Sequence, residues 1–299
     1  MRVTERTRIQ APRARIQDLR TRQSSTQEKV STGRRVNRPS DDPLAALHIN
    51  VVQTKERQVE QFDRNLTRGD AFLQQADGVL SESLDTINRI RELTIQSISA
   101  ALTQQDANDI AAEVTTLREH LLTLANPRVG DHYVFAGFLY NQPAYTAAGV
   151  FQGDTNQQTL EIGDRQWVPI TIPGGSAFGD GTAATQDVFQ TVQNLVTQIP
   201  IRNVVGFANI ETELQNLQLA TDQMIAARSQ VGVRIAQFTA AKNVNVFLQE
   251  RVPAQRSEIQ DVDMTSAISD LQLVDTALQT TLAATGRTIN GPTLLDFLR

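Results

Sequence analysis

The chain has 299 residues, 5% of them aromatic, with Gln, Thr, Ala, Leu and Val recurring throughout and a formal net charge of -5. This suits long helices better than an aromatic-cored sandwich. The lack of cysteine excludes disulfides, thiolate metal sites and a cysteine nucleophile, and no run approaches the ~18 apolar residues of a membrane span.

The charge is unevenly spread. Residues 1–40 hold eleven Lys/Arg against three Asp/Glu, and the remainder seventeen against thirty. A basic arm can bind nucleic acid, but this one lacks aromatic residues for base stacking and is laid out at helical spacing. Neither a nucleic-acid nor a membrane partner is expected, and Met1 to Gln10 contain no apolar core of a signal peptide.

From Ile9 to Val30 the apolar stripe is thin: Ile9, Ile16 and Leu19, then Gln23, Thr26 and Val30. Such a helix buries too little to offset its own ordering, so residues 1 to about 45 are expected to be mobile in a free monomer. Gly33 fits a helix stop, and in the following turn Asp42 is placed to cap a new helix with Pro43 at its first position.

The next stretch carries the clearest pattern. Val59, Phe62, Leu66, Gly69, Leu73, Ala76, Leu80, Ser83, Ile87, Ile90 and Thr94 alternate spacings of three and four, a sustained heptad repeat. It predicts a helix from about Pro43 to Leu102, roughly 90 Å long if unbroken. Asp106 is placed to cap a shorter helix through Ile110, Val114, Leu117, Leu121 and Leu124, which Asn126-Pro127 stops.

Residues 128–185 are glycine-rich and lose helical periodicity. Leu160 and Ile162, then Val168, Ile170 and Ile172, alternate across the turn 163–166, predicting a hairpin with Pro169 at an edge or bulge. A short helix through Val188, Val192, Leu195 and Ile199 follows and ends at Pro200. Asn209 is then placed to cap a long helix through Ile210, Leu214, Leu217, Thr221, Met224, Arg228, Val231, Ile235, Phe238 and Lys242. Pro253 is expected to break it, and a last sparse helix uses Ile268, Leu271, Val274, Leu278 and Leu282.

The fold class predicted is mainly α: a long antiparallel helical rod or bundle with heptad packing, plus a small inserted β domain. Five segments result, 1–45, 46–127, 128–185, 186–254 and 255–299. The order of elements is palindromic, so both weak ends come to one end of the rod, where they can pack only on each other or on neighbouring subunits.

The residues at the ends carry a resemblance. Ser31 to Pro43, reading STGRRVNRPSDDP, closely resembles a motif of the flagellin superfamily of bacterial flagellar axial proteins. Its Asn-Arg-Pro-Ser-Asp-Asp-Pro form is similar to the hook–filament junction branch, whereas flagellins proper usually end this motif Asp-Asp-Ala-Ala-Gly. Arg256 to Met264, reading RSEIQDVDM, and the stretch Ala267 to Gln272 are similar to that family's C-terminal core, as is the apolar ending Leu294-Leu295-Asp296-Phe297-Leu298. Tyr133 to Gly137 and Phe151 to Asp154 resemble parts of its β domain, with Phe151 standing where Tyr is common.

The resemblance implies a structural subunit of the hook–filament junction rather than an enzyme. Its partners would be neighbouring copies of itself in a helical ring, hook-associated protein 1 on the hook side, flagellin on the filament side and an export chaperone at the C-terminal helix. It would be extracellular, exported by the flagellar type III route without a cleaved signal. Ile16, Leu19, Leu271, Val274, Leu278 and Leu282 would form the assembly seam, joined by Asn37, Arg38, Pro39, Asp41, Asp42 and Pro43 in the turn and by Leu295, Phe297 and Leu298 in the tail. A flagellin-type filament subunit, or a structural rod carrying a carbohydrate-binding or enzymatic β module, are the competing readings.

No catalytic set stands out. Asp261 and Asp263 lack the further ligands a metal needs and read as capping or solvated groups. His48, His120 and His132 belong to no metal-binding motif, and no phosphate-binding glycine loop occurs. No cofactor or metal is expected.

Overall fold

The computed structural model describes residues 5–99, 102–182 and 184–289, with side chains from residue 10 to 287. Helices dominate the described residues, and the sheets among them are two two-stranded ones, so the fold is mainly α. The elements are α1 (Glu5–Thr32), α2 (Pro43–Ser97), α3 (Gln104–Leu124), β1 (Arg128–Val129), β2 (His132–Tyr133), β3 (Thr159–Gly163), β4 (Gln166–Pro169), α4 (Gly174–Phe178), α5 (Val188–Gln198), α6 (Val204–Gln260) and α7 (Met264–Ile289). They fall into two compact units, Met1–Gln58 with Leu248–Arg299, and Val59–Phe247. The long helices α2 and α6 each lend a segment to both.

In the second unit the heptad stripe is the core. Leu66, Leu73, Ala76, Leu80, Ile87 and Ile90 of α2 are buried, as are Ile210, Leu217, Met224, Val231 and Phe238 of α6. Gly69 keeps this seam close, because a Cβ there would run into the Phe238 ring. Arg228 closes the edge by pairing with Asp77 at 2.9 Å. The insert shares the same apolar cluster: Val134, Phe135, Ile162, Ile170, Ile172 and Phe178 join the helical residues in one core. The hairpin forms as expected, Leu160 opposite Val168 and Gly163 opposite Gln166, with Arg165 at positive φ in its turn.

Four boundaries differ from the sequence expectation. Helix α2 ends at Ser97 rather than near Leu102, and the freed carbonyls of Ser97 and Ser99 accept from the Arg202 guanidinium. Thr103, not Asp106, caps α3; Asp106, the third residue of the first turn, returns its carboxylate to the Thr103 N–H, completing a capping box. Helix α6 begins at Val204, five residues before Asn209, because Asn203 accepts from the Gly206 N–H at 2.8 Å and serves as the cap. Pro253 lies inside α6 without ending it. A proline forfeits one backbone donor, and buried Val252 and Gln260 anchor the helix on either side.

In the first unit α1 packs antiparallel on α7, the Gln23 amide donating to Asp275 at 2.6 Å midway along the pair. Gly33, at φ 68, ends α1, a conformation that a Cβ would strain. Asp42 and Pro43 start α2 as expected, the Asp42 carboxylate accepting from the Ala45 N–H at 3.0 Å.

Candidate assembly surfaces

The two terminal motifs, more than 200 residues apart in sequence, are hydrogen-bonded to each other. Arg34 and Asp261 form an antiparallel bridge, the Val262 N–H donates to the Gly33 carbonyl at 3.0 Å, and the Arg35 N–H donates to the Gln260 carbonyl at 2.6 Å. Arg35 also reaches in two directions with its side chain, to Asp42 at 3.2 Å and to the Ile259 carbonyl at 2.9 Å. Beneath this turn Val36, Ala45 and Ile49 make a small buried cluster with Ala46 and Ile259 against it.

The turn is held by its carboxylates. Asp41 accepts from the Arg38 N–H at 2.9 Å and the Asn37 N–H at 3.1 Å, and these donors, Arg38 foremost, hold its carboxyl below the usual range. Asp42 is lowered likewise, first by the Ala45 N–H and then by Arg35. Arg38 turns back to Glu28 at 3.2 Å, while Pro39 and Pro43 are exposed on the rim. The six residues nominated in this motif therefore share one rigid, solvent-facing turn. Asp263 caps α7 by accepting from the Thr265 N–H at 2.9 Å, and Asp261 accepts from the Ser257 hydroxyl.

The nominated seam residues lie on the α1–α7 pair, and none is fully buried. Ile16, Leu19, Leu271, Val274 and Leu278 are half-buried, whereas Leu282 is 43% exposed. Leu295, Phe297 and Leu298 lie outside the described residues. Sequence reasoning missed Arg35, which ties the motifs together, and a second apolar stripe at the start of α2. Leu44, Leu47 and Val51 are 69%, 64% and 68% exposed on the side away from buried Ala45, Ile49 and Val52. The signal was available, since 44, 47 and 51 repeat the three–four spacing in a frame offset from the seam. Leu273, 68% exposed on α7, escaped for the same reason.

Among the described residues no group of three or more His, Cys, Asp or Glu side chains is placed to hold a metal ion. No described helix is long and apolar enough to cross a membrane. His120 pairs with Glu82 at 3.2 Å on the surface, and His132 stacks edge-on against Tyr140. These are packing roles.

Two family models match, the bacterial flagellin N-terminal helical region over residues 7–138 and the bacterial flagellin C-terminal helical region over residues 214–298, together more than two thirds of the chain. The chain belongs to the flagellin family. The helices and motif turn of the first unit are thus flagellin-family elements. Flagellar hook-associated protein 3 of Salmonella typhimurium is 24% identical over 271 residues, covering 84% of this chain and 86% of that protein. The flagellar filament 30.7 kDa core protein of Treponema maltophilum is 27% identical over 245 residues, covering 81% and 80%. Among solved structures, FlgL of Xanthomonas campestris matches with a TM-score of 0.62 at 17% identity, over 69% of this chain and 99% of its own. Flagellar hook-associated protein-3 of Legionella pneumophila also gives 0.62, at 16% identity over 71% and 98%. These two share the fold. Flagellin-family proteins are structural components of the bacterial flagellum, not enzymes, and this chain is one of them.

Proposed function

We propose that this flagellin-family chain is a structural subunit of the hook–filament junction, onto which flagellin assembles. The observation that carries the reading is the unfinished α1–α7 pair. Its apolar residues meet one another yet stay half-buried, and Leu273 and Leu282 face solvent, so the pair has apolar surface still to bury. In this reading residues 1–45 and 255–299 are axial-core segments completed by neighbouring copies in a helical ring. The helices of 46–127 and 186–254, with the insert 128–185, make up the remaining segments.

Hook-associated protein 1 is the neighbour on the hook side and flagellin on the filament side. An export chaperone covers the C-terminal helix before assembly, and the chain leaves through the flagellar type III channel to become extracellular. The Asn37 to Pro43 form of the motif and the similarity to hook-associated protein 3 of Salmonella typhimurium support the junction position. Deleting the gene should give complete hooks, no filaments and unpolymerised flagellin in the medium. Normal filaments on the mutant would overturn the junction position.

The match to the Treponema maltophilum filament core protein favours a second reading, a filament subunit. It predicts that the purified chain polymerises into long filaments without a hook, which a junction subunit does not do.

A further inference from the structure

The terminal helices are oppositely charged, and they do not neutralise each other. Residues 13–38 hold eight Lys/Arg against Asp18 and Glu28, while residues 257–286 hold five Asp/Glu and no Lys or Arg. Antiparallel packing of α1 on α7 sets these two runs side by side, yet among the described residues no ion pair joins them; Gln23 to Asp275 is the polar link. The two acids of the basic run are already engaged locally, Asp18 by Arg22 at 3.1 Å and Glu28 by Arg38 at 3.2 Å. Arg13, Arg15 and Arg20 are left exposed, and among the described residues none pairs with a carboxylate. On the other side Glu258, Asp261, Asp263 and Asp270 are exposed, and among the described residues no Lys or Arg side chain pairs with their carboxylates.

We propose that this polarity joins copies of the chain head to tail, the basic face of α1 in one copy lying against the acidic run 258–275 of the next. Charge complementarity and the need for open edges decide the form. Two-fold contacts of α1 on α1 or of α7 on α7 would set like charges together, and a crossed two-fold of α1 on α7 would use up both edges and stop at a dimer, which an axial subunit cannot do. A head-to-tail contact sets opposite signs together and leaves the same two edges open for further copies, the arrangement that closes into a ring or runs on as a helix. Exposed ion pairs add little affinity singly, so the charges set direction and register. The apolar area comes from Ile268, Leu273 and Leu282, exposed at 43%, 68% and 43% on the same helix. The inference rests on the chain being an axial subunit but not on its place at the junction.

A charge swap tests it in a strain whose chromosomal copy is deleted. R13E/R20E reverses the basic face, E258K/D270K the acidic run, and the four changes together restore complementarity between identical copies. Purified full-length variants must first match the parent in far-UV circular dichroism, and among the described residues none of the four side chains has a hydrogen-bond or ion-pair partner. The amount of variant chain in sheared flagella and hooks is then measured by immunoblot. Each two-site variant should fall about tenfold or more, and the four-site variant should recover to within about threefold of the parent. Parent-like incorporation of either two-site variant, or a four-site variant no better than the two-site ones, would overturn the contact. Immunogold labelling of the parent separates this from the junction reading. Label along the filament would remove the junction and leave the swap result standing, whereas label at the hook tip with no swap effect would remove the contact alone.

Discussion

The two units solve the same problem, a stripe of apolar residues at three–four spacing, with opposite outcomes. In Val59–Phe247 the stripes of α2 and α6 are capped by α3, α5 and the insert, and Leu73, Leu80, Ile87, Leu217, Met224 and Val231 are fully excluded from water. In the other unit α1 packs on α7, and Ile16, Leu19, Leu271, Val274 and Leu278 remain half in solvent. Two helices cannot enclose a seam that needs a third or fourth face. One unit closes its own core, and in the proposed reading the other is finished by neighbouring copies.

The widest separation between them comes from Leu278→Asp. A carboxylate in the α1–α7 seam should abolish assembly, because its burial on subunit contact carries the full cost of desolvation, while urea unfolding of the second unit shifts by less than about 0.5 kcal/mol. Filament growth on a strain carrying this variant would show that the seam lies elsewhere. Amide exchange draws the same line without mutation: α1 and α7 should exchange fast in the verified monomer and Leu73 to Ile90 slowly. Protection of α1 equal to that of the α2 core would remove the contrast.

Phe178→Ala is the converse, large in stability and local in place. The ring is fully buried, edge-on to Phe135 and stacked on Phe189, so its loss should cost about 3–5 kcal/mol in denaturant unfolding. A loss under 1 kcal/mol would mean that the insert contributes little to the core it shares. Tyr145→Phe is gentler. The hydroxyl donates to the Gly179 carbonyl at 2.7 Å, and burial pushes its pKa up, so it stays protonated and a donor at any ordinary pH. Removing it strands a buried carbonyl for about 1–3 kcal/mol, and a neutral result would show that carbonyl to be hydrated.

The difference between the units also governs what could be read from sequence. Seam residues from Val59 to Thr94 were legible because a closed core needs an unbroken apolar period, and the Gly163 to Gln166 turn because its flanking residues alternate. Helix ends were less so. Asn203 and Asn209, or Thr103 and Asp106, are equally good caps by residue type, and only the backbone selects between them. Pro253 misled because burial on both sides holds a helix that proline alone would end. At the assembly surfaces the motif turn was visible as a pattern, but Arg35's role was not, since its partners Gln260 and Ile259 lie on a segment more than 200 residues away. The exposed stripe of Leu44, Leu47 and Val51 was hidden by the opposite problem: two apolar frames share one helix, and periodicity does not say which faces in.

The smallest effect tests the turn that joins the terminal segments. Asp41 holds the Asn37 and Arg38 amides, and its pKa is depressed in the folded chain, so its stabilisation is complete above the ordinary carboxylate value of about 3.9 and fades as pH falls through the lower folded value. Asp42, depressed by the Ala45 amide and Arg35, changes in the same sense. Both groups are open to solvent, so the unit should loosen at this turn rather than unfold. Exchange of the Asn37 and Arg38 amides, corrected for the intrinsic pH dependence, should accelerate below about pH 4, and Asp41→Asn should flatten that rise while leaving the exchange of the second unit untouched. An unchanged profile in the variant would show that the backbone pairing of Gly33 with Val262 and of Arg35 with Gln260 holds the turn without the carboxylate.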